Sequence, residues 1–72
     1  MTRDERFEAL PSTAEVIAAR YGWNYSAMCQ LLRVGDPGPE GTRTREMAEG
    51  LASEMGRPFA EVWGTQDNLR GG

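Results

Sequence analysis

Histidine and lysine are both absent from this 72-residue chain, and cysteine occurs once. Without histidine the commonest general base and metal ligand is missing. A single thiol, Cys29, rules out an intrachain disulfide, and no Cys or carboxylate cluster has metal-ligand spacing. No metal and no cofactor are therefore expected. Cys29 has no imidazole to activate it, so it reads as a small residue on a helix flank rather than a nucleophile. Glu46, Glu49 and Glu54 sit at ordinary exposed helical spacing, in a chain too short to wall in a deep pocket. No enzyme is expected. No apolar run approaches the ~18 residues that cross a bilayer, so no membrane partner is expected. The opening MTRDERFEALP is charged and lacks the apolar centre of a secretion signal. With one unpaired thiol, a reducing cytoplasm is the expected location.

What is present bounds the answer further. The length fits one small domain, which buries only about 60% of its unfolded surface. With no covalent or metal staple, a compact helical core, helped by a partner chain, must supply the stability. The net charge is −3, and all eight basic residues are Arg. The guanidinium fork suits bidentate contacts to phosphate or guanine; a GC-rich genome gives the same bias. An acidic balance opposes avid, non-specific nucleic-acid binding.

Helix signals punctuate the chain. Thr2 and Glu5 have capping-box spacing and open a first helix reaching Ala9, stopped by Pro11. Ser12 and Glu15 repeat that spacing, so Ser12 is the expected N-cap of a second helix. Val16 or Ile17, with Ala14, Ala18 and Tyr21, gives its apolar spacing, and Gly22 its stop. Asn24 is the expected N-cap of a third helix over about Tyr25–Arg33, with Met28, Leu31 and Leu32 on its apolar side. DPGPEG reads as a loop by its turn chemistry. Thr42 or Thr44 opens a fourth helix that reaches about Met55, and Gly56 stops it. RPFAEVW reads as a short fifth helix with Pro58 in its first turn. Met28, Met47 and Met55 are expected core fillers, as are Trp23 and Trp63. The fold class is all-α, a bundle of about five short helices over residues 1–64, with a flexible tail over residues 65–72.

The stretch VIAARYGWNYSAMCQLL, residues 16–32, breaks its apolar run at YGWN. Gly22 takes positive φ at little cost, and Asn24 caps the third helix. Ala18 is small where the two helices would cross. Met28 and Leu31 face back into the corner. Such a corner holds one helix at an angle to another and leaves its far side in solvent, which is the helix-turn-helix unit.

TAEVIAARYGWNYSAMCQLLR resembles the helix-turn-helix of the lambda-repressor-like, Xre/Cro family of DNA-binding domains. Ile17, Ala18, Gly22, Met28 and Leu31 match that pattern in order and spacing. MAEGLASEMGRPFAEVWG is similar to the family's closing segment, so the resemblance spans roughly residues 2–64. It implies four or five helices, with the third entering the DNA major groove. Carried onto this chain, Tyr25, Ser26 and Gln30 would meet base edges, and Ala27 a thymine methyl; Gln pairs bidentately with adenine. Asn24 would cap the helix and touch a phosphate. Arg33, Arg43 and Arg45 are candidate phosphate ligands, and the start of the second helix near Thr13 is a further anchor. Leu32, Arg33 and Val34 depart from the family's pattern, as do the acidic loop and the bulk of Trp23.

Between Ser12 and Arg45 lie Arg20, Arg33, Arg43 and Arg45 against Glu15, Asp36 and Glu40; the other eight acids lie elsewhere. A near-neutral face with an acidic back suits a small specific binder. The expected function is a sequence-specific transcriptional regulator of the phage or bacterial repressor/Cro type. Its partner would be double-stranded DNA, bound tightly only as a homodimer or with another protein. The alternatives are a protein-interaction module, such as a phage assembly or packaging subunit or an antirepressor, and an excisionase-type recombination accessory.

Overall fold

The computed structural model describes residues 1–64; the tail expected over residues 65–72 lies outside the described residues. Five α-helices succeed one another with no strand among the described residues: α1 (Arg3–Ala9), α2 (Ala14–Tyr21), α3 (Tyr25–Val34), α4 (Arg43–Met55) and α5 (Phe59–Trp63). The starts of the first four are written in hydroxyls and an amide. The side chains of Thr2, Thr13, Asn24 and Thr42 each accept the backbone N–H three residues on. This satisfies one of the free donors that every helix N-terminus carries. At Thr2 the reciprocal bond is also made, because the Thr2 N–H donates to the Glu5 carboxylate at 2.8 Å.

Two expectations are corrected by the fold. Ser12 is not the cap of α2; the Thr13 hydroxyl takes the Val16 N–H instead. Of two adjacent hydroxyls the chain uses the second. Glu15 then falls one position short of capping-box reach, though still in the first turn where the helix dipole favours a carboxylate. Tyr21 is not core but exposed, since α2 ends on it. The open alternatives also resolve: Ile17 is buried and Val16 exposed, Thr42 rather than Thr44 caps α4, Pro58 precedes α5, and α3 runs one residue further, to Val34.

The core lies where α3 crosses its neighbours: α1, α2 and α4 each pack on α3, and α5 packs on α4. Met28, Leu31 and Leu32 point inward from α3, against Ile17 and Ala18 of α2. From the other side come Met47, Leu51 and Ala52 of α4. Val62 and Trp63 close the base, and the Trp63 indole N–H donates to the Ala48 carbonyl at 2.9 Å. Full burial of a side chain such as Leu32 contributes about 1.5–3 kcal/mol. Trp23 is only half-buried; Met55 is likewise partly covered.

Among the described residues one charged side chain is enclosed: Arg6 of α1 is 7% exposed and forms no ion pair with a described carboxylate. Its Nε donates to the Leu32 carbonyl at 2.8 Å, and its Nη1 to the carbonyls of Met1 (2.6 Å) and Val62 (3.2 Å). The guanidinium carbon lies 5.5 Å from the centre of the Trp63 ring. Leu32 and Val62 belong to the last turns of α3 and α5, where free carbonyls carry the negative end of the helix dipole. Those dipoles stand in for a counter-ion. Burial lowers the Arg6 pKa from its ordinary value, yet arginine stays charged. Gly35 makes room for it: a Cβ there would lie 2.5 Å from Nη2.

Candidate nucleic-acid interface

The corner between α2 and α3 consists of Gly22, Trp23 and Asn24. Gly22 takes φ +73°, a left-handed conformation that costs a side-chain-bearing residue about 1–2 kcal/mol. The Trp23 N–H returns to the Ala18 carbonyl at 2.8 Å, which turns the chain off the end of α2. Ala18 itself is buried, as the close approach of the two helices requires. Asn24 Oδ1 then accepts the Ala27 N–H at 2.9 Å and starts α3. α3 is therefore a separate helix with a capped start.

An aromatic buttress pins this corner to α4. The rings of Tyr21 and Trp23 stack 4.3 Å apart at an interplanar angle of 10°. The Trp23 ring edge rests on Gly50, where a Cβ would lie 2.7 Å from Cη2. The Tyr21 hydroxyl donates to the Glu54 carboxylate, and Arg20 pairs with the same carboxylate at 3.0 Å. The Glu54 hydrogen bond, foremost, raises the Tyr21 pKa, because it favours the protonated phenol. Glu54 is accordingly half-covered rather than a plain surface acid.

The solvent side of α3 carries Ser26, Ala27, Gln30, Arg33 and Val34, all exposed. Their spacing of one, three and four residues puts them on one face. Tyr25 stands apart. It is 49% exposed, but it sits one turn before the buried Cys29 and so on the flank of α3 away from Gln30. Its pKa is raised, chiefly by the neighbouring Cys29 side chain. Asn24 is spent on the cap. α3 is also unlike its neighbours in charge. Every other helix carries at least one acid, and α3 carries none.

Alongside α3 runs a groove of about 280 Å³, bounded by Ala27, Gln30, Leu31 and Val34 on one side and by Asp36 and Thr44 on the other. Sequence reasoning did not assign Val34, Asp36 or Thr44 to this face. Val34 was within reach of it: seven residues after Ala27 and four after Gln30, it continues the helical spacing, and it is 64% exposed. The opposing wall joins the first residue of the loop, Asp36, to Thr44 of α4, and nothing local in the sequence announces that pairing.

The expected phosphate ligands divide. Arg33 and Arg43 are exposed. Arg45 is held elsewhere: its Nη1 donates to the Gly38 carbonyl at 3.3 Å, its Nε lies 3.6 Å from Glu49, and its guanidinium carbon lies 4.3 Å from the centre of the Phe59 ring. It braces the loop and α5 against α4. Thr13, the expected anchor at the start of α2, is exposed and caps that helix. No helix among the described residues is long and apolar enough to cross a membrane. Comparison with family models, with curated proteins and with solved structures finds no match to this chain.

Proposed function

We propose that this protein binds duplex DNA in a sequence-dependent way and regulates transcription, with α3 as the helix that enters the major groove. The observation that carries this reading is the outer face of α3: exposed, capped at its start, and free of acids in a chain of net charge −3. An acid-free helix is the one element that can approach a polyanion without repulsion of its own. Within this reading α2 and α3 act as a helix-turn-helix. Gln30 lies at the centre of the face and reads a base edge, with Ser26 and Ala27 beside it. Arg33 and Arg43 neutralise phosphates. Two such contacts give weak binding from one protomer, so a two-fold pair of protomers is part of the proposal.

The test is titration of duplex DNA from the upstream region of the encoding gene, at low salt, with wild type and with Gln30→Ala. Wild type is expected to bind, and the variant to lose affinity while keeping its thermal stability. Absence of binding by wild type at low salt and high protein concentration would sink the proposal.

A second reading, an interaction module for another protein, draws support from one observation. Among the described residues the most exposed large apolar side chain, Val34, lies on this same face, while Arg45 is withdrawn from it. On that reading Val34→Ser abolishes partner binding and Gln30→Ala does not.

A further inference from the structure

The groove beside α3 has an unusual chemistry for a surface that meets DNA. Among the described residues no arginine lines it, and its one charged residue is Asp36. A phosphate is anionic and offers only acceptors, so it would meet repulsion there and no charged donor. The DNA backbone is thereby excluded from this groove and directed past Arg33 and Arg43. What fits instead is a neutral group that presents an N–H donor beside an apolar edge. The Leu31 and Val34 side chains provide the apolar contact, and Asp36 the acceptor.

The carboxylate is held in place. Asp36 Oδ1 accepts the Gly38 N–H at 3.0 Å, forming an Asx turn across Pro37. Pro37 is fully buried and anchors the loop at that point. A carboxylate has about four acceptor positions, so the turn bond leaves capacity for a second donor. A side chain held by a turn and backed by a buried proline is organised before its ligand arrives.

In the major groove, cytosine presents its exocyclic amino group and no acceptor, whereas guanine presents two acceptors and no donor. Adenine offers an amino group next to an acceptor nitrogen, which a carboxylate repels. We infer that Asp36 is a specificity-determining residue of the α3 face, accepting a hydrogen bond from a cytosine amino group and rejecting guanine at that position. The same negative charge weakens attachment to DNA in general, so it exchanges affinity for discrimination. This inference rests on the DNA-binding reading above.

The experiment is selection from randomised duplex oligonucleotides with the full chain, in wild-type form and as Asp36→Asn. Asparagine keeps an oxygen for the Gly38 N–H, so the turn survives while the charge goes. Circular dichroism checks that the variant is folded. Wild type is expected to enrich cytosine at one position and to lose roughly tenfold in affinity when that base becomes guanine. Asp36→Asn is expected to lose that preference and to bind random duplex more tightly than wild type. If Asp36→Asn selects the same bases as wild type, the inference is overturned and the DNA-binding reading stands. If wild type retains no duplex, both are overturned.

Discussion

Adding one methyl group at Gly50 tests whether the corner before α3 is braced as described. Gly50 lies inside α4, where glycine is a poor helix former. Replacement by alanine there ordinarily stabilises by about 0.5–1 kcal/mol. Here the new Cβ would lie 2.7 Å from Trp23 Cη2 and 2.9 Å from Cζ2. Both distances are shorter than any comfortable carbon–carbon contact, so the indole must move. It is not free to swing outward, because Tyr21 stacks on it and is itself held by Glu54. Overpacking of this kind costs about 1–3 kcal/mol. The balance for Gly50→Ala is a loss of about 1 kcal/mol, a drop in Tm of roughly 4–8 °C for a chain this size. In a Trp23→Ala background the clash is gone and only the helix gain remains, so the same substitution should stabilise by about 1 kcal/mol. The coupling between the two positions is then about 2 kcal/mol, within the usual range for residues in contact. Urea denaturation followed by far-ultraviolet circular dichroism on the four proteins of the cycle measures it. Equal stabilisation by Gly50→Ala with and without Trp23 would show that the ring does not rest on α4, and the brace on the α2–α3 corner would fall with it.

Other outcomes come from the same geometry. Arg6→Met leaves the Leu32 and Val62 carbonyls buried without donors and should cost at least about 2 kcal/mol in urea denaturation. Gly35→Ala should cost a similar amount or more, since it combines φ +78° with a Cβ driven into the guanidinium. Glu5 has its pKa lowered, chiefly by the Thr2 N–H, so its share of stability is present above its unfolded pKa and is lost as acid brings the pH down through its folded value. Glu5→Gln should flatten the acid limb of a Tm-against-pH curve. Tyr21 has its pKa raised, so the sign reverses: its share is intact below about pH 10 and disappears as pH climbs through the folded value. Tyr21→Phe should flatten the alkaline limb. In DNA titrations, Arg33 and Arg43 as phosphate contacts predict a slope of log affinity against log salt of about −2 per protomer, and Arg33→Ala should reduce its size by about 1.

Much of the helix plan was legible because its signals act over three or four residues. The Thr2–Glu5 box, the Asn24 cap and the glycines at 22 and 56 are read from neighbours in the chain, and the structure uses each of them. Ser12 misled because two adjacent hydroxyls offer the same cap, and only the path of the chain from Leu10 chooses between them. Contacts between residues distant in sequence were not legible. Nothing near Arg6 indicates that a cation will be buried among carbonyls contributed by residues 32 and 62. Nor does the neighbourhood of Arg45 indicate that Gly38, Glu49 and Phe59 will hold it. The candidate site divides the same way. The resemblance named Ser26, Ala27, Gln30 and Arg33, and the structure places them on one exposed face. Tyr25 fell on the other flank because position along the helix, not nearness to its start, sets direction. The Asp36–Thr44 wall needed the tertiary fold.

The enclosed guanidinium also bears on how the molecule comes apart. A single cation grips the trailing ends of two helices from a seat on a third. Peeling α3 or α5 away deprives the enclosed cation of an acceptor, and peeling α1 away leaves the Leu32 and Val62 carbonyls without their donor, so partial opening is penalised at once. Amides in α1, α3 and α5 should therefore exchange with deuterium on one common timescale, set by collapse of the entire domain rather than by local breathing.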